Sequence, residues 1–385
     1  MGAREVNPES ARRVAVVTGS RAEFGLLAPV MRAVEVHEAL QLCTIVTGTH
    51  LLGPVFSREE VSGLFRVDAE VAMQQKGKTG RVADAVALGR GIAGIAGAIG
   101  ELRPEWVIVL GDRIEALAGA AAGSVAGVCV GHIHGGDRAE GIADEAIRHA
   151  ITKLAHVHFA ATERSGDRIE RMGEDARRVH VVGSPAMDGL EEIAALGASE
   201  YERLGRPLAV FLMHPERGEA EDERNLASCV LHELGDRFGG RVLCLHPNFD
   251  AGREGILRAI EEVGGRYAFT VERHLERPAF VGLLRRVGRE RGLLVGNSSA
   301  GLIEAAALDV AVVDVGVRQG GRERPWHVVH APGAGDVGNA IGVALVRERG
   351  QEHPYGDGRA GHRIAGIISR TDPRESGLLR KRCTF

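Results

Sequence analysis

The 385-residue sequence predicts two α/β domains of Rossmann type, each a parallel sheet with helices wound over both faces. Three observations point there. Short, continuous apolar runs bounded by Gly, Pro, Asp or His alternate with segments of helical spacing. The strand-then-helix pattern starts afresh between Pro185 and Leu208. An apolar content of 44% in a chain this long exceeds what one hydrophobic centre usually serves.

In the first half, VAVVTG, LCTIVTG, WVIVLGD, GVCVGHIHGG, HVHFAAT and VHVVGSP read as strands buried on both faces, because they are continuous rather than alternating. FGLLAPVMRAVEVH and AVALGRGIAGIAGAIGEL are the clearest helices between them. In the second half, PLAVFLMHP, RVLCLHPN, RYAFTV, GLLVGNSS and VAVVDVG are strands, and RNLASCVLHELG, GILRAIEEVG, AFVGLLRRVG and LIEAAALD are helices. The expected domains are residues 1–187 and 188–365. Residues 366–385 form a tail packing back on the first domain, with GHRIAGIISR a last helix and RKRCTF loose at its end. Ligands of such sheets sit outside the carboxyl ends of the strands, so an active-site cleft between the domains is expected.

Composition excludes several classes. Lys plus Arg (48) nearly balance Asp plus Glu (52), so no strong field marks the chain for nucleic acid or a membrane surface. A small soluble ligand fits better. The five cysteines are odd in number and mostly lie in apolar runs, which indicates reduced thiols and a cytoplasmic location. There is no CxxC pair and no HExxH spacing, so no metal site is expected. No apolar run reaches the ~18 residues of a membrane span, and MGAREVNPESARR has no apolar signal core.

Polar clusters fall at the expected strand ends. VVTGSRAEFGLL places Arg21 and Glu23 at a helix start after a glycine turn, in outline a phosphate site, although Ser20 as a plain N-cap explains the same residues. VLGDRIEA ends a strand with Asp112. HIHGGD ends the next with His134 and Asp137, and Asp144 opens the following helix. Carboxylates that converge repel one another, which raises some of their pKa values and makes a carboxylic acid usable near neutral pH. The plainer alternative is an ion pair of Asp144 with Arg148, four residues on.

In the second half, His214 ends the first strand in LMHPERGE, and LHPNFDAGREG supplies Asn248 beside Asp250, a candidate N-cap. VGNSSAGLIEA brings Asn297, Ser298 and Ser299 to a strand end, a diphosphate site in outline, with Glu304 placed for a ribose diol. Arg318 and Arg322 follow in GVRQGGRER and outnumber the local acid.

Taken together and in order, TGSRAEFGLL, GDRIEALAGA, HIHGGD with DEAIRHAITKLAHVHF, VVGSPAMDGL, HPNFDAGREGI, VGNSSAGLIEA and RQGGR resemble the hydrolysing UDP-N-acetylglucosamine 2-epimerases of sialic-acid and related nonulosonate synthesis. The resemblance covers roughly residues 14–325. It implies a GT-B-type fold, no metal or cofactor, a nucleotide sugar as the small-molecule partner, and a homodimer or homotetramer. The non-hydrolysing branch typically shows Glu-Ala-Gly where this chain has His134, Gly135 and Gly136. Family roles carry over to Asp112, to Asp137 where the pattern usually has Glu, to Asp144 and to His214. HPERGE stands where the family more often has His-Pro-Val-Thr.

On that resemblance the expected reaction is anti elimination of UDP to a 2-acetamidoglucal, then hydration. Asp112 or Asp144 takes the C2 proton, while Arg21, Ser298, Ser299 and Arg322 stabilise the leaving diphosphate. Asp137 or its neighbour activates water, and His214 offsets the phosphate charge. The spacing does not choose between GlcNAc and diacetylbacillosamine, or between UDP and GDP. A nucleotide-sugar glycosyltransferase of the same fold and a non-catalytic nucleotide-sugar sensor are the competing readings.

Overall fold

The computed structural model describes the chain apart from residues 1–10, 53–56, 79, 139–143, 217, 249, 349–352, 376, 383 and 385, and apart from the side chains of Ala22 and Asp144. The chain divides into two compact units. The first is Met1–Asp137, Ala143–Asp188 and Tyr355–Phe385; the second is Arg138–Ile142 and Gly189–Pro354.

The first unit holds β1 (Arg12–Thr18), β2 (Leu40–Thr47), β3 (Ala69–Val71), β4 (Trp106–Leu110), β5 (Cys129–Ile133), β6 (Val157–Ala160) and β7 (Val179–Val181). They form one parallel sheet in the order β3-β2-β1-β4-β5-β6-β7. The continuous apolar runs have a direct reason. In β1, Val14 and Val16 enter a core with Phe24, Leu27 and Met31 of α1 (Arg21–Glu35). Ala15 and Val17 enter the opposite core, with Ile95 and Ile99 of α3 (Arg81–Leu102) and Ala116 and Ala120 of α4 (Ile114–Val125). Two covered faces make the middle of the strand, Val14–Val17, apolar throughout.

The second unit repeats the plan with β8 (Ala209–Leu212), β9 (Val242–Leu245), β10 (Thr270–Glu272), β11 (Leu293–Gly296), β12 (Ala311–Val315) and β13 (Val329–Ala331), in the order β10-β9-β8-β11-β12-β13. Ala209 and Phe211 face one core, Val210 and Leu212 the other. The strand order reverses between β1 and β4 and between β8 and β11, and it is at such reversals that open sheets present a crevice for ligands.

Three readings of the sequence need correction. α3 spans 22 residues with a mean hydropathy of 1.5 over its best window, long and apolar enough by length and composition to cross a membrane. Its Ala and Gly content hid this, since no single run is strongly apolar. In the fold it is a covering helix, with Ala87, Gly91, Ile95, Ala98 and Ile99 buried. RKRCTF, read as loose at its end, is tied through Lys381 and Thr384, which hydrogen-bond to the body of the unit, and between it and α12 (Ala360–Arg370) Leu378 is buried in the α1 core. Residues 355–365, read from sequence with the second domain, fall in the first unit. Tyr355 is fully buried, its carbonyl accepts from Ser184 N–H at 2.8 Å, and Asp188 caps α12 by accepting from Ala360 and Gly361 N–H at 2.9 and 2.6 Å.

Candidate active site

In the first unit the ends of β4 and β5 and the helix α5 (Asp144–Leu154) assemble one connected polar group. Asp112, just past β4, keeps its side chain 21% exposed and forms an ion pair with Arg148 of α5, which is itself buried. Arg148 also donates to the His134 carbonyl at 3.1 Å. Sequence spacing offers Asp144 as a partner for Arg148; the fold also brings Arg148 to Asp112, 36 residues away. The side chain of Asp144 lies outside the described residues.

His134 follows β5 with φ +62, a left-handed conformation uncommon for a residue with a side chain. The turn that demands this is packed shut. A Cβ at Gly136, itself at φ +73, would lie 2.1 Å from the Ser165 carbonyl. The His134 ring is almost fully buried, with Nδ1 2.8 Å from Asp137 Oδ2 and Nε2 2.9 Å from Ser184 Oγ. Asp137 is fully buried and accepts a second bond from Ser165 Oγ at 2.8 Å. Ser184 Oγ also accepts from Ala186 N–H at 3.2 Å. A carboxylate can only accept, so the His134 nitrogen facing Asp137, Nδ1, carries a proton. Asp137 therefore lies behind His134, and Asp112 is the more open of the two carboxylates. Beneath them His132 bridges the Gly111 carbonyl at 2.8 Å and Thr152 Oγ at 3.2 Å, and burial pushes its pKa down to about 3.

Arg21 and Glu23 belong to another cluster. Ser20 caps α1, and Arg21 Nε pairs with Glu60 at 2.8 Å. Glu23 is buried and accepts from Gly19 N–H at 3.1 Å; burial, reinforced by the nearby Glu115 carboxylate, pushes its pKa up to about 8. Glu115, in the first turn of α4, is fully buried, accepts from Gln74 Nε2 at 2.7 Å and lies 3.4 Å from Arg113 Nε. Sequence reasoning did not single out Glu115.

In the second unit the hub is Asn297, fully buried just past β11. Its Oδ1 accepts from His214 N–H at 2.7 Å and its Nδ2 donates to the His214 carbonyl at 2.8 Å, which ties the end of β11 to the end of β8. Gly296 permits the approach, since a Cβ there would meet the Leu212 carbonyl at 1.9 Å. The Asn297 carbonyl accepts from Gln319 Nε2 at 2.8 Å and from Arg318 at 3.4 Å; Arg322 donates to Gln319 Oε1 at 3.1 Å. Asn248 N–H donates to His214 Nδ1 at 3.1 Å, so the neutral ring carries its proton on Nε2. Burial, then Arg318, pushes the His214 pKa down to about 3. His214 is thus an uncharged donor, suited to a phosphate oxygen.

Ser298 and Ser299 follow in the helical turn after β11, where Ser298 Oγ accepts from Ala300 N–H at 3.4 Å. Glu304 is nearly buried, 3.6 Å from Arg277. Asn248 Nδ2 donates to Asp250. Glu216, the departure in HPERGE, accepts from Val317 and Arg318 N–H at 3.0 and 3.1 Å and so fixes the loop that carries Arg318 and Gln319. Gln319 was missed by sequence, although it sits in the quoted RQGGR. Among the described residues no group of three or more His, Cys, Asp or Glu could hold a metal ion.

Residues 32–369 match the UDP-N-acetylglucosamine 2-epimerase family. The chain belongs to that family. It is 31% identical over 386 residues to the UDP-N,N'-diacetylbacillosamine 2-epimerase (hydrolyzing) of Legionella pneumophila, covering 96% of this chain and 98% of that one. It is 32% identical to the UDP-N-acetylglucosamine 2-epimerase of Neisseria meningitidis, over 83% of each. Among solved structures, UDP-GlcNAc 2-epimerase from Neisseria meningitidis bound to UDP-GlcNAc superposes with a TM-score of 0.77 at 18% identity, over 93% of this chain and 100% of that one. A Listeria monocytogenes structure described as a 2-epimerase of the same type also gives 0.77, at 21% identity over 93% and 96%. Both support a GT-B-like fold of two α/β domains, as the sequence predicts.

Proposed function

We propose that this epimerase-family chain is a hydrolysing enzyme. It converts a UDP-linked 2-acetamido sugar and water to UDP and the free C2-epimer, UDP-GlcNAc to ManNAc or the diacetylbacillosamine counterpart, in the cytoplasm. The observation that carries the reading is the pairing of Asp112, a carboxylate open to solvent at a strand end, with buried Arg148. The full-length likeness to a relative named as hydrolysing adds to it.

In an α-linked substrate the C2 hydrogen and the C1 oxygen are axial and on opposite faces. A carboxylate, Asp112 or Asp144, removes the C2 proton as the C1–O bond breaks and the C1=C2 double bond forms. His214 Nε2–H, Arg318, Arg322 and the Ser298 and Ser299 turn bind the diphosphate, in the substrate and in departing UDP alike, with Asn297 holding His214 in place. Water then adds its oxygen to C1, and an acid returns a proton to C2 from the other face. Asp137 acts here through His134, whose ring orientation it fixes, which accommodates an aspartate where the family usually has the longer glutamate.

UDP-GlcNAc and UDP-diacetylbacillosamine incubated side by side, with release of UDP and free sugar followed by chromatography, test the reading. Equimolar UDP and free 2-epimerised sugar from one of them are expected. UDP-ManNAc as product would make the enzyme non-hydrolysing, and UDP release only with an added acceptor would make it a transferase.

A further inference from the structure

The helix that presents the first-unit site is held at its far end by a residue no part of the mechanism uses. Lys381 Nζ donates to the carbonyls of Thr152, Lys153 and Ala155 at 3.2, 2.8 and 2.6 Å, the last turn of α5 and the residue beyond it. Those carbonyls have no partner within the helix, and a cation there also meets the negative end of its dipole. The same ammonium pairs with Glu174 Oε2 at 2.7 Å. Glu174 is nearly buried and also pairs with Lys153 and His158. Burial alone would raise its carboxyl; the bonds from His158, Lys153 and Lys381 outweigh that and hold its pKa at about 2.

The segment carrying Lys381 is itself tied down on both sides. Arg178 donates to the carbonyls of Leu378 and Gly377 at 2.8 and 2.9 Å, and Thr384 N–H donates to the Gly173 carbonyl at 3.1 Å. From Lys381 the contacts run inward in two steps. Thr152, whose carbonyl Lys381 holds, bonds His132 Nδ1 and the Arg148 carbonyl through its hydroxyl. Arg148 reaches Asp112 and the His134 carbonyl.

We propose that Lys381 is a positioning residue for the reaction: by clamping the end of α5 it sets where Arg148 holds Asp112. The inference rests on the epimerase reading, which assigns Asp112 its chemistry.

Turnover of UDP-GlcNAc is compared in wild type, Lys381→Met and Lys381→Arg, alongside amide hydrogen exchange along α5 with α1 as the internal reference. In Lys381→Met, kcat is expected to fall about ten- to a hundredfold with KM little changed, as a small misplacement of a reacting group does. Exchange is expected to rise in α5 and not in α1, and Lys381→Arg is expected to recover both. An unchanged kcat, a loss confined to KM, or exchange rising equally in α1 would overturn the proposal. Wild type that leaves UDP-GlcNAc and UDP-diacetylbacillosamine untouched would count against the epimerase reading alone, and the exchange profile would then decide whether the clamp exists.

Discussion

The strand ends of the two units are built from opposite materials. In the first they carry carboxylates held by a buried cation and a histidine: Asp112 with Arg148, and Asp137 with His134. In the second they carry an uncharged imidazole and a carboxamide, His214 and Asn297, backed by Arg318 and Arg322. On the proposed reading, the difference divides labour. Carboxylates next to fixed partners can take and return protons, while neutral donors beside loop cations receive a diphosphate and release it. Variants in the first group should therefore act on kcat and variants in the second on KM.

The largest effect expected is from Asp112→Asn, which keeps an acceptor for Arg148 but removes the base. Turnover should drop by ~100- to 10,000-fold with KM nearly constant. A loss confined to KM would erase the division. Asn297→Ala comes next. It strands the buried N–H and carbonyl of His214, each worth about 1–3 kcal/mol, and should raise KM while sparing kcat. Denaturant midpoints alongside initial rates separate the two contributions. A kcat-dominated loss would place His214 with the chemistry instead.

Stability against pH contrasts the two kinds of buried group. Glu23 has its folded pKa raised to about 8, so its contribution is complete below its unfolded value of 4.5 and is lost as pH rises towards 8. Glu23→Gln should gain about 2–3 kcal/mol at pH 7 and nothing at pH 4. Equal gains at both pH values would show that the carboxyl is not held neutral. The buried histidines run the other way. His50 and His156 are lowered to about 4, and His132 and His214 to about 3, all chiefly by burial. In Glu23→Gln, where that opposing titration is gone, the melting temperature should hold above the unfolded pKa of 6.5 and decline as pH falls from there towards 3. A flat profile between pH 6.5 and 4 would mean that these rings are open to water.

How far the sequence leads depends on what each residue is buried by. Strands flanked by helices on both faces announce themselves as unbroken apolar runs, and the interior strands of both sheets were legible for that reason. β3 and β13 were not. Each has three residues at a sheet edge, and their burial is partial, so neither leaves a run. The site was legible as a collection of residue types at strand ends, because glycines and polar residues interrupt apolar runs there. Its connections were not legible. The acid that Arg148 meets at the end of β4, Asp112, is 36 positions away, and no local spacing signals it. Asp137 and Asp112 look alike in the sequence, yet the fold buries the first against Ser165 and His134 and leaves the second open. Lys381, in a short basic run, gives no local sign of the helix end it holds.

The proposed elimination and hydration is tested most directly by following UDP-GlcNAc, or its diacetylbacillosamine counterpart, in D2O by NMR with wild type and Asp112→Asn. Wild type should yield UDP and a free 2-epimerised sugar with deuterium at C2, and the variant should yield neither at a comparable rate. Free sugar that retains its original C2 hydrogen would contradict the account.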